Sequence, residues 1–306
     1  MVAVELPREL AAQLPAGARD EDIATRGERV HAMVWGPDAG ARTVVLVHGN
    51  PTWGFLWRKV VATVRARPGG DQLRLVVPDL VGLGRSSRPA ADAHTLAHHA
   101  AWLGDAIDQL APGPLVLVAQ DWGGPIGLRA MAERVPRLRG LVLGNTAVGP
   151  PAATFRPTLF HRLAHAPVIS DLVFRGLGFP IGVLHLSQGD RASIRGEVAR
   201  AYRWPLRHVA DRAAPLALAR MVPDTHGHPS IADLAVCEQL FRSAQVPIDL
   251  VWGMKDPILG RVIGHASRLR PDARVVRTQA GHFLQEEVPD QLADAIADVV
   301  ARADWS

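Results

Sequence analysis

The stretch Leu115-Val-Leu-Val-Ala-Gln-Asp121-Trp-Gly-Gly-Pro-Ile-Gly127 decides the reading of this chain: a short apolar run breaks at a polar pair and continues into a helical pattern. Leu115 to Ala119 has the length and branching of a strand buried on both faces, and Pro125 suits the first turn of the helix that follows. Ala119 and Gly123 lie two residues either side of Asp121, where small side chains are needed because so tight a turn brings backbone segments together. The pattern is small-x-nucleophile-x-small, with an aspartate in the nucleophile's place. A serine hydroxyl must lose a proton before it attacks, whereas a carboxylate need not. A carboxylate suits displacement at a saturated carbon bearing a leaving group, giving an enzyme ester that water then cleaves. Asp121 also reads as a cap for the helix at Trp122, the commoner use of aspartate before a helix. The turn by itself leaves both readings open.

Upstream of this turn, Glu28 to Trp35 alternates polar and apolar residues and ends at Gly36-Pro37-Asp38-Ala-Gly40, which predicts an edge strand entering a turn. Thr43 to His48 predicts a buried strand, followed by Gly49-Asn50-Pro51-Thr52-Trp53 and a helix from Phe55 through Val64. Leu73 to Pro78 predicts another strand, opening into Asp79-Leu-Val-Gly82-Leu-Gly84-Arg-Ser86. These glycines lack both the dinucleotide spacing and a Gly-Lys-Ser/Thr ending, so a phosphate-binding reading is rejected. A helix over Thr95 to Leu110 precedes the central strand. Downstream, Leu138 to Gly144 predicts a strand ending at Asn145-Thr146.

From about Ala152 to Pro229 the pattern changes to short helical pieces rich in proline and glycine, with no convincing strand. This predicts a helical cap spanning 150–229, inserted between 1–149 and 230–306, which together form the core. Phe155, Phe160, Phe174, Phe179 and Trp204 give the cap an aromatic stock that could roof an apolar pocket, although packing is the commoner use of such residues. After the cap come a helix from Ile231 to about Ala244, a strand Val246 to Trp252 leading to Asp256-Pro257, a strand Ala273 to Thr278 leading to Gly281-His282-Phe283, and a final helix Pro289 to Ala301. Unalternating apolar strands that alternate with helices predict an α/β fold, a mostly parallel sheet covered on both faces.

The 306 residues are 48% hydrophobic and 21% charged, which describes a globular protein with a substantial core and not a disordered chain. The net charge of +4 comes mostly from arginines scattered among acids, so no basic stripe points to nucleic acid. Cys237 stands alone, which excludes an intrachain disulfide and a cysteine-based metal centre. The charged, proline-bearing start of the chain does not read as a signal peptide, and no run is long enough to span a bilayer. These features predict a cytoplasmic protein with no membrane partner. They leave the oligomeric state open.

Asp121, Asp256 and His282 each follow a predicted strand, which places all three on loops at the carboxyl edge of the sheet, where open α/β sheets bind ligands. Their order, nucleophile then acid then histidine, is that of the α/β-hydrolase fold. His282 alone would read as one of thirteen ordinary histidines, and Asp256 as a turn residue before proline. The slot after the strand ending at Gly144, an alternative site for the acid, holds Asn145 instead of a carboxylate.

The chain resembles the haloalkane dehalogenases over nearly its whole length. The resemblance is carried by His48-Gly49-Asn50-Pro51-Thr52, Pro78-Asp79 through Gly82-Leu-Gly84-Arg-Ser86, Gln120-Asp121-Trp122-Gly123-Gly124, Asp256, and Gly281-His282. It implies a mostly parallel eight-stranded sheet flanked by helices, an inserted helical cap, and hydrolysis of carbon–halogen bonds without a cofactor or metal. The expected partners are a small apolar halogenated substrate, water and the halide ion. Asn50 and Trp122 match the residues that hold the departing halide, and Asp256 with Asn50 resembles one subfamily in which the acid follows the later strand. Trp53 departs from the small residue often found at its position, which bears on the pocket's shape.

Elementary chemistry is consistent with these roles. The indole N–H of Trp122 and the amide N–H of Asn50 are neutral donors, able to stabilise charge growing on the halogen without holding the ion too strongly. His282 would take a proton from water, Asp256 would orient the imidazole, and the backbone N–H groups of Asn50 and Trp122 would form the oxyanion hole. An epoxide hydrolase shares the fold and the aspartate nucleophile, but resemblance to that family would call for cap tyrosines, typically two, and Tyr202 is the only tyrosine. A fluoroacetate-type dehalogenase resembles a pattern with arginine where this chain has Trp122. A luciferase-like, cofactor-independent oxygenase shares much of the same triad and stays open, while an intact base and acid argue against a pure receptor.

Overall fold

The computed structural model describes residues 6–38, 40–152, 156 and 159–306, with the side chains of 159–161 excepted. Eight strands form one sheet: β1 (Arg19–Thr25), β2 (Glu28–Trp35), β3 (Thr43–Val47), β4 (Arg74–Pro78), β5 (Leu115–Gln120), β6 (Leu138–Gly144), β7 (Ile248–Gly253) and β8 (Arg274–Thr278). Their order is β1-β2-β4-β3-β5-β6-β7-β8. β1 with β2 and β2 with β4 run antiparallel, and every later pairing is parallel.

The parallel strands are apolar on both faces because both faces are covered. Val45 and Val47 of β3 and Leu115, Leu117 and Ala119 of β5 enter one buried cluster, packed with the helices Leu96–Leu110, Gly123–Ala132 and Ser230–Ser243. The intervening Val44, Leu46, Val116 and Val118 enter the other, against the helices Arg58–Ala66 and Pro289–Arg302. Successive strand residues point to opposite faces, so an unbroken apolar run serves two layers of helices. Each fully buried valine or leucine contributes on the order of 1.5–3 kcal/mol.

One expectation is corrected, and one loop gains its explanation. The strand Glu28–Trp35 is not at the sheet's edge, because β1 pairs along its length from Arg19↔Val34 to Thr25↔Glu28. Arg19-Asp-Glu-Asp-Ile-Ala-Thr25 alternates half-buried with exposed positions until its last residue, and its charges mask the strand period. The loop after β4 wraps a buried carboxylate instead of an empty cradle. Asp79 is fully buried and accepts from Gly54 N (2.7 Å) and Arg85 N (2.8 Å), with His31 Nδ1 at 3.0 Å. Gly84 has φ +53, and a Cβ there would lie 2.2 Å from the carboxyl carbon of Asp79. The glycine makes room for that carboxylate.

Residues 150–229 carry no strand among the described residues. Their elements include the helices Gly196–Arg203 and Ala213–Arg220 and a π-helical turn at Asp171–Gly176. Ile181, Leu206, Ala214, Leu218 and Met221 from this segment belong to the same apolar cluster as Trp122, Leu80 and Val148. Phe174 packs instead with Ala164, Leu216, Ala219 and Phe179 within the segment. Phe155 lies outside the described residues, as does the side chain of Phe160. No helix among the described residues is long and apolar enough to cross a membrane.

Candidate active site

The strand order reverses direction between β3 and β5, and the site sits at this switch point. Asn50 follows β3, Asp121 follows β5, Asn145 follows β6, Asp256 follows β7 and His282 follows β8. Five strand ends therefore supply one cluster.

Asp121 has φ +51, a left-handed conformation that costs a non-glycine residue on the order of 1–3 kcal/mol and persists only where surroundings impose it. Asp121 N–H donates to Asn145 O (3.1 Å), and the Thr146 hydroxyl donates to Asp121 O (2.6 Å). A Cβ on Gly123 would stand 2.3 Å from Val47 O, so only glycine lets the helix start this close to β3. The carboxylate does not cap that helix, whose N-cap is Trp122 with no side-chain bond. It accepts instead from the backbone N–H of Asn50 at 2.7 Å, on Oδ1, and the backbone N–H of Trp122 adds to the stabilisation of its charged form.

His282 faces this carboxylate, with Nε2 at 3.6 Å from Asp121 Oδ2. Its Nδ1 lies 2.8 Å from Asp256 Oδ2. An acceptor at that distance keeps the proton on Nδ1 and leaves Nε2 as a lone-pair base directed at Asp121. Asp256 has its own support: Asn145 Nδ2 donates to Oδ2 (2.7 Å) and Ile258 N donates to Oδ1 (2.7 Å). Asn145 is fixed in turn by both ends of its amide to Gly253, through Nδ2 to O (3.0 Å) and N to Oδ1 (2.6 Å). Gln120 Nε2 donates to the backbone O of His282 at 3.1 Å.

Burial raises the pKa of Asp121, opposed by the charge of His282 and the two backbone donors. Burial alone would also lower His282 and raise Asp256, but their mutual charge and hydrogen bond reverse both directions. The imidazole is held above its usual range and the Asp256 carboxyl below its own. Of the Asp121 side chain 16% remains accessible, against 3% for His282 and none for Asp256. Of the three, Asp121 keeps the most accessible side chain.

The two expected halide donors are differently placed. Among the described residues nothing accepts from the Trp122 indole, which is 7% exposed within the apolar cluster. Asn50 Nδ2 already donates to Pro215 O at 3.0 Å, and Oδ1 is buried without a partner. One amide N–H thus ties Asn50 to the segment 150–229, and the second is left for a ligand.

Trp53 is fully buried, 5.5 Å from Phe55 between ring centroids, and its indole donates to Ala201 O (3.0 Å), so it joins the two parts of the chain instead of lining a pocket. Tyr202 is likewise buried, its hydroxyl 2.6 Å from Glu286 Oε1, and Glu286 is also bound by Arg58. Sequence reasoning missed Asn145 as the brace of Asp256, although its position after β6 was noted. It also missed Gln120, for which adjacency to Asp121 was the only signal.

A mostly parallel sheet with an aspartate on a strained elbow, facing a histidine–aspartate pair on later strand ends, defines the α/β-hydrolase class of fold. Residues 42–167 match the family model of the alpha/beta hydrolase fold. Over 273 residues, 83% of this chain and 86% of the relative, the protein is 33% identical to Haloalkane dehalogenase 2 of Mycobacterium bovis. It is 31% identical to a haloalkane dehalogenase of Mycobacterium marinum, over 92% of this chain and 93% of that one. The chain belongs to the haloalkane dehalogenase family. The fold is shared with the crystal structures of haloalkane dehalogenases DbeA from Bradyrhizobium elkani (TM-score 0.79, 22% identity, 93% and 98% covered) and DatA from Agrobacterium tumefaciens (TM-score 0.81, 21% identity, 95% and 99% covered).

Proposed function

We propose that the protein hydrolyses haloalkanes to an alcohol, a halide ion and a proton through an alkyl ester on Asp121. The observation that carries this reading is the carboxylate held at Oδ1 by Asn50 N, with Oδ2 turned toward His282 Nε2. Oδ2 attacks the carbon, the carbon–halogen bond breaks, and the halide leaves with the electron pair toward the free N–H groups of Trp122 and Asn50. His282 Nε2 then takes a proton from water, whose oxygen attacks the ester carbonyl carbon. Negative charge develops on Oδ1, to which the backbone N–H of Asn50 already donates, with the backbone N–H of Trp122 as second donor of the oxyanion hole. Removing one such donor costs about 10²–10³ in rate. Collapse releases the alcohol, restores the carboxylate, and frees the proton from His282. Asp256 stabilises the imidazolium in between.

Residues 150–229 act as the cap over a core of 1–149 and 230–306, a division supported by the absence of strands from that segment among the described residues. The Asp121–His282–Asp256 arrangement, with Asn50 and Trp122 beside it, supports a reading of the chain as one of the subfamily with an Asp-His-Asp triad and an Asn/Trp halide pair. The epoxide reading loses its proton donor, because the Tyr202 hydroxyl is engaged by Glu286. A single free, buried cysteine suits a cytoplasmic setting. Incubation with 1-bromobutane and 1,2-dibromoethane should release bromide, and His282→Phe should retain the alkyl group as added mass on the intact protein. An absence of both would sink the reading.

A further inference from the structure

The loop that carries His282 is held by residues from the segment 150–229. Three consecutive backbone N–H groups of this loop find acceptors there or on a carboxylate bound to it. His282 N donates to Ser187 O at 2.9 Å. Phe283 N donates to Gln188 Oε1 at 2.8 Å, and Gln188 Nε2 donates back to Phe283 O at 3.2 Å. Gly281 N donates to Glu287 Oε1 at 3.0 Å, and the same carboxylate accepts from Gly189 N (3.1 Å) and Asp190 N (2.8 Å). Gln188 is 6% exposed, and its amide nitrogen also reaches Ser193 Oγ at 3.1 Å.

These bonds form a clamp. Gln188 reads the backbone of the residue after the base in both directions, while Glu287 joins the residue before it to the strap 187–190. The imidazole is aimed through Asp256, but the backbone that carries it is set by this strap and by Gln120 on the opposite side. The nucleophile has no such dependence. Asp121 is fixed by Asn50 N, Asn145 O and Thr146 Oγ, none of which belongs to residues 187–190.

We propose that Gln188 and Glu287 are positioning residues for His282, so that cleavage of the ester depends on the strap and formation of the ester does not. This rests on the roles given above to Asp121 and His282. A general base must sit within hydrogen-bond reach of the water it activates, and a displacement near 1 Å can cost about 10²-fold.

Rapid-mixing measurement of bromide release from 1,2-dibromoethane, with intact-mass detection of the alkyl-enzyme, tests the proposal on the full chain. For Gln188→Ala, a burst of one bromide per chain at the wild-type rate is expected. Turnover then slows by about ten- to hundredfold, kcat and KM fall together with kcat/KM unchanged, and the adduct accumulates. Glu287→Gln keeps the size of the side chain but sets an NH2 group against one of the three amides, and should show a smaller loss of the same form. Wild-type kcat in both variants overturns the proposal, as does an equal fall in kcat and kcat/KM, which would mark general damage to the site. Should Gln188→Ala lose its cooperative melting transition, Glu287→Gln decides alone by the same criterion. Failure of the wild-type chain to release bromide would defeat the parent reading instead.

Discussion

The two halves of the site are built by different means. Asp121 is held mostly by backbone, through a left-handed turn, the N–H of Asn50, its own N–H on Asn145 O and the packing of Gly123 against β3, with the Thr146 hydroxyl as its one side-chain brace. His282 is held mostly by side chains, the carboxylate of Asp256, the amides of Gln120 and Gln188 and the carboxylate of Glu287, beside one backbone bond to Ser187 O. Backbone geometry tolerates most substitutions nearby, whereas a side-chain brace is lost with one residue. Alkylation should therefore be robust to mutation around the site, and hydrolysis should be fragile.

The largest effect expected breaks both halves at once. Asp121→Ala removes the attacking oxygen and should abolish bromide release and adduct alike; normal turnover in that variant would remove Asp121 from its role. Asp256→Asn should separate the halves, preserving the bromide burst while slowing hydrolysis by about 10³–10⁴-fold through loss of tautomer control. A variant in which both phases survive at wild-type rate would contradict the brace.

The same pair sets a pH signature. His282 must be neutral to act, and its pKa is held above the ordinary 6.5, so hydrolysis should fade as pH falls through a midpoint above that value. Esterification removes the charge of Asp121, the smallest of the raising influences, and leaves Asp256 in place. The burst needs only ionised Asp121. Its rate should persist to lower pH, and should fail where that carboxyl, raised by burial above 3.8, takes up a proton. In Asp256→Asn the midpoint for residual hydrolysis should move down, because burial then dominates. Single-turnover rates across pH for each phase test the ordering, and coincident acid limbs would refute it.

A smaller effect is expected one shell out. Asn145→Ala removes the donor to Asp256 Oδ2 and should lower hydrolysis by roughly tenfold, since a lost hydrogen bond to a charged group is worth about 1.5–3 kcal/mol. An unchanged hydrolysis rate would show that Ile258 N and His282 suffice. Smallest in activity, Tyr202→Phe should leave kcat within about twofold and lower stability in urea by about 1–3 kcal/mol, because a buried donor to Glu286 is lost. A large fall in kcat would return the tyrosine to the chemistry.

Much of this was legible in the residues. The apolar runs of β3, β5, β6 and β7 required cover on both faces, and the polar residue after each marked the edge where ligands bind. The positions of Asp121 and Asp256 followed from that rule, and that of His282 from its place between the last predicted strand and the final helix. β1 escaped notice because charged residues occupy the half-buried positions Arg19 and Glu21 as well as the exposed Asp20 and Asp22, and β2 was therefore set at the edge. Nothing local disclosed the carboxylate of Asp79 inside the loop around Gly84.

Strand, turn and helix periods are local properties, so the order of residues by itself determined the layered sheet, the elbow at Asp121 and the chemical class its carboxylate can serve. The direction of a side chain depends on partners far along the chain. Asn50 meets Pro215, Tyr202 meets Glu286, Asn145 meets Asp256 and Gln188 meets Phe283 across separations that no periodic pattern encodes. Only the packed structure decided which donors face the substrate, which merely fasten the segment 150–229 in place, and what keeps the base on target.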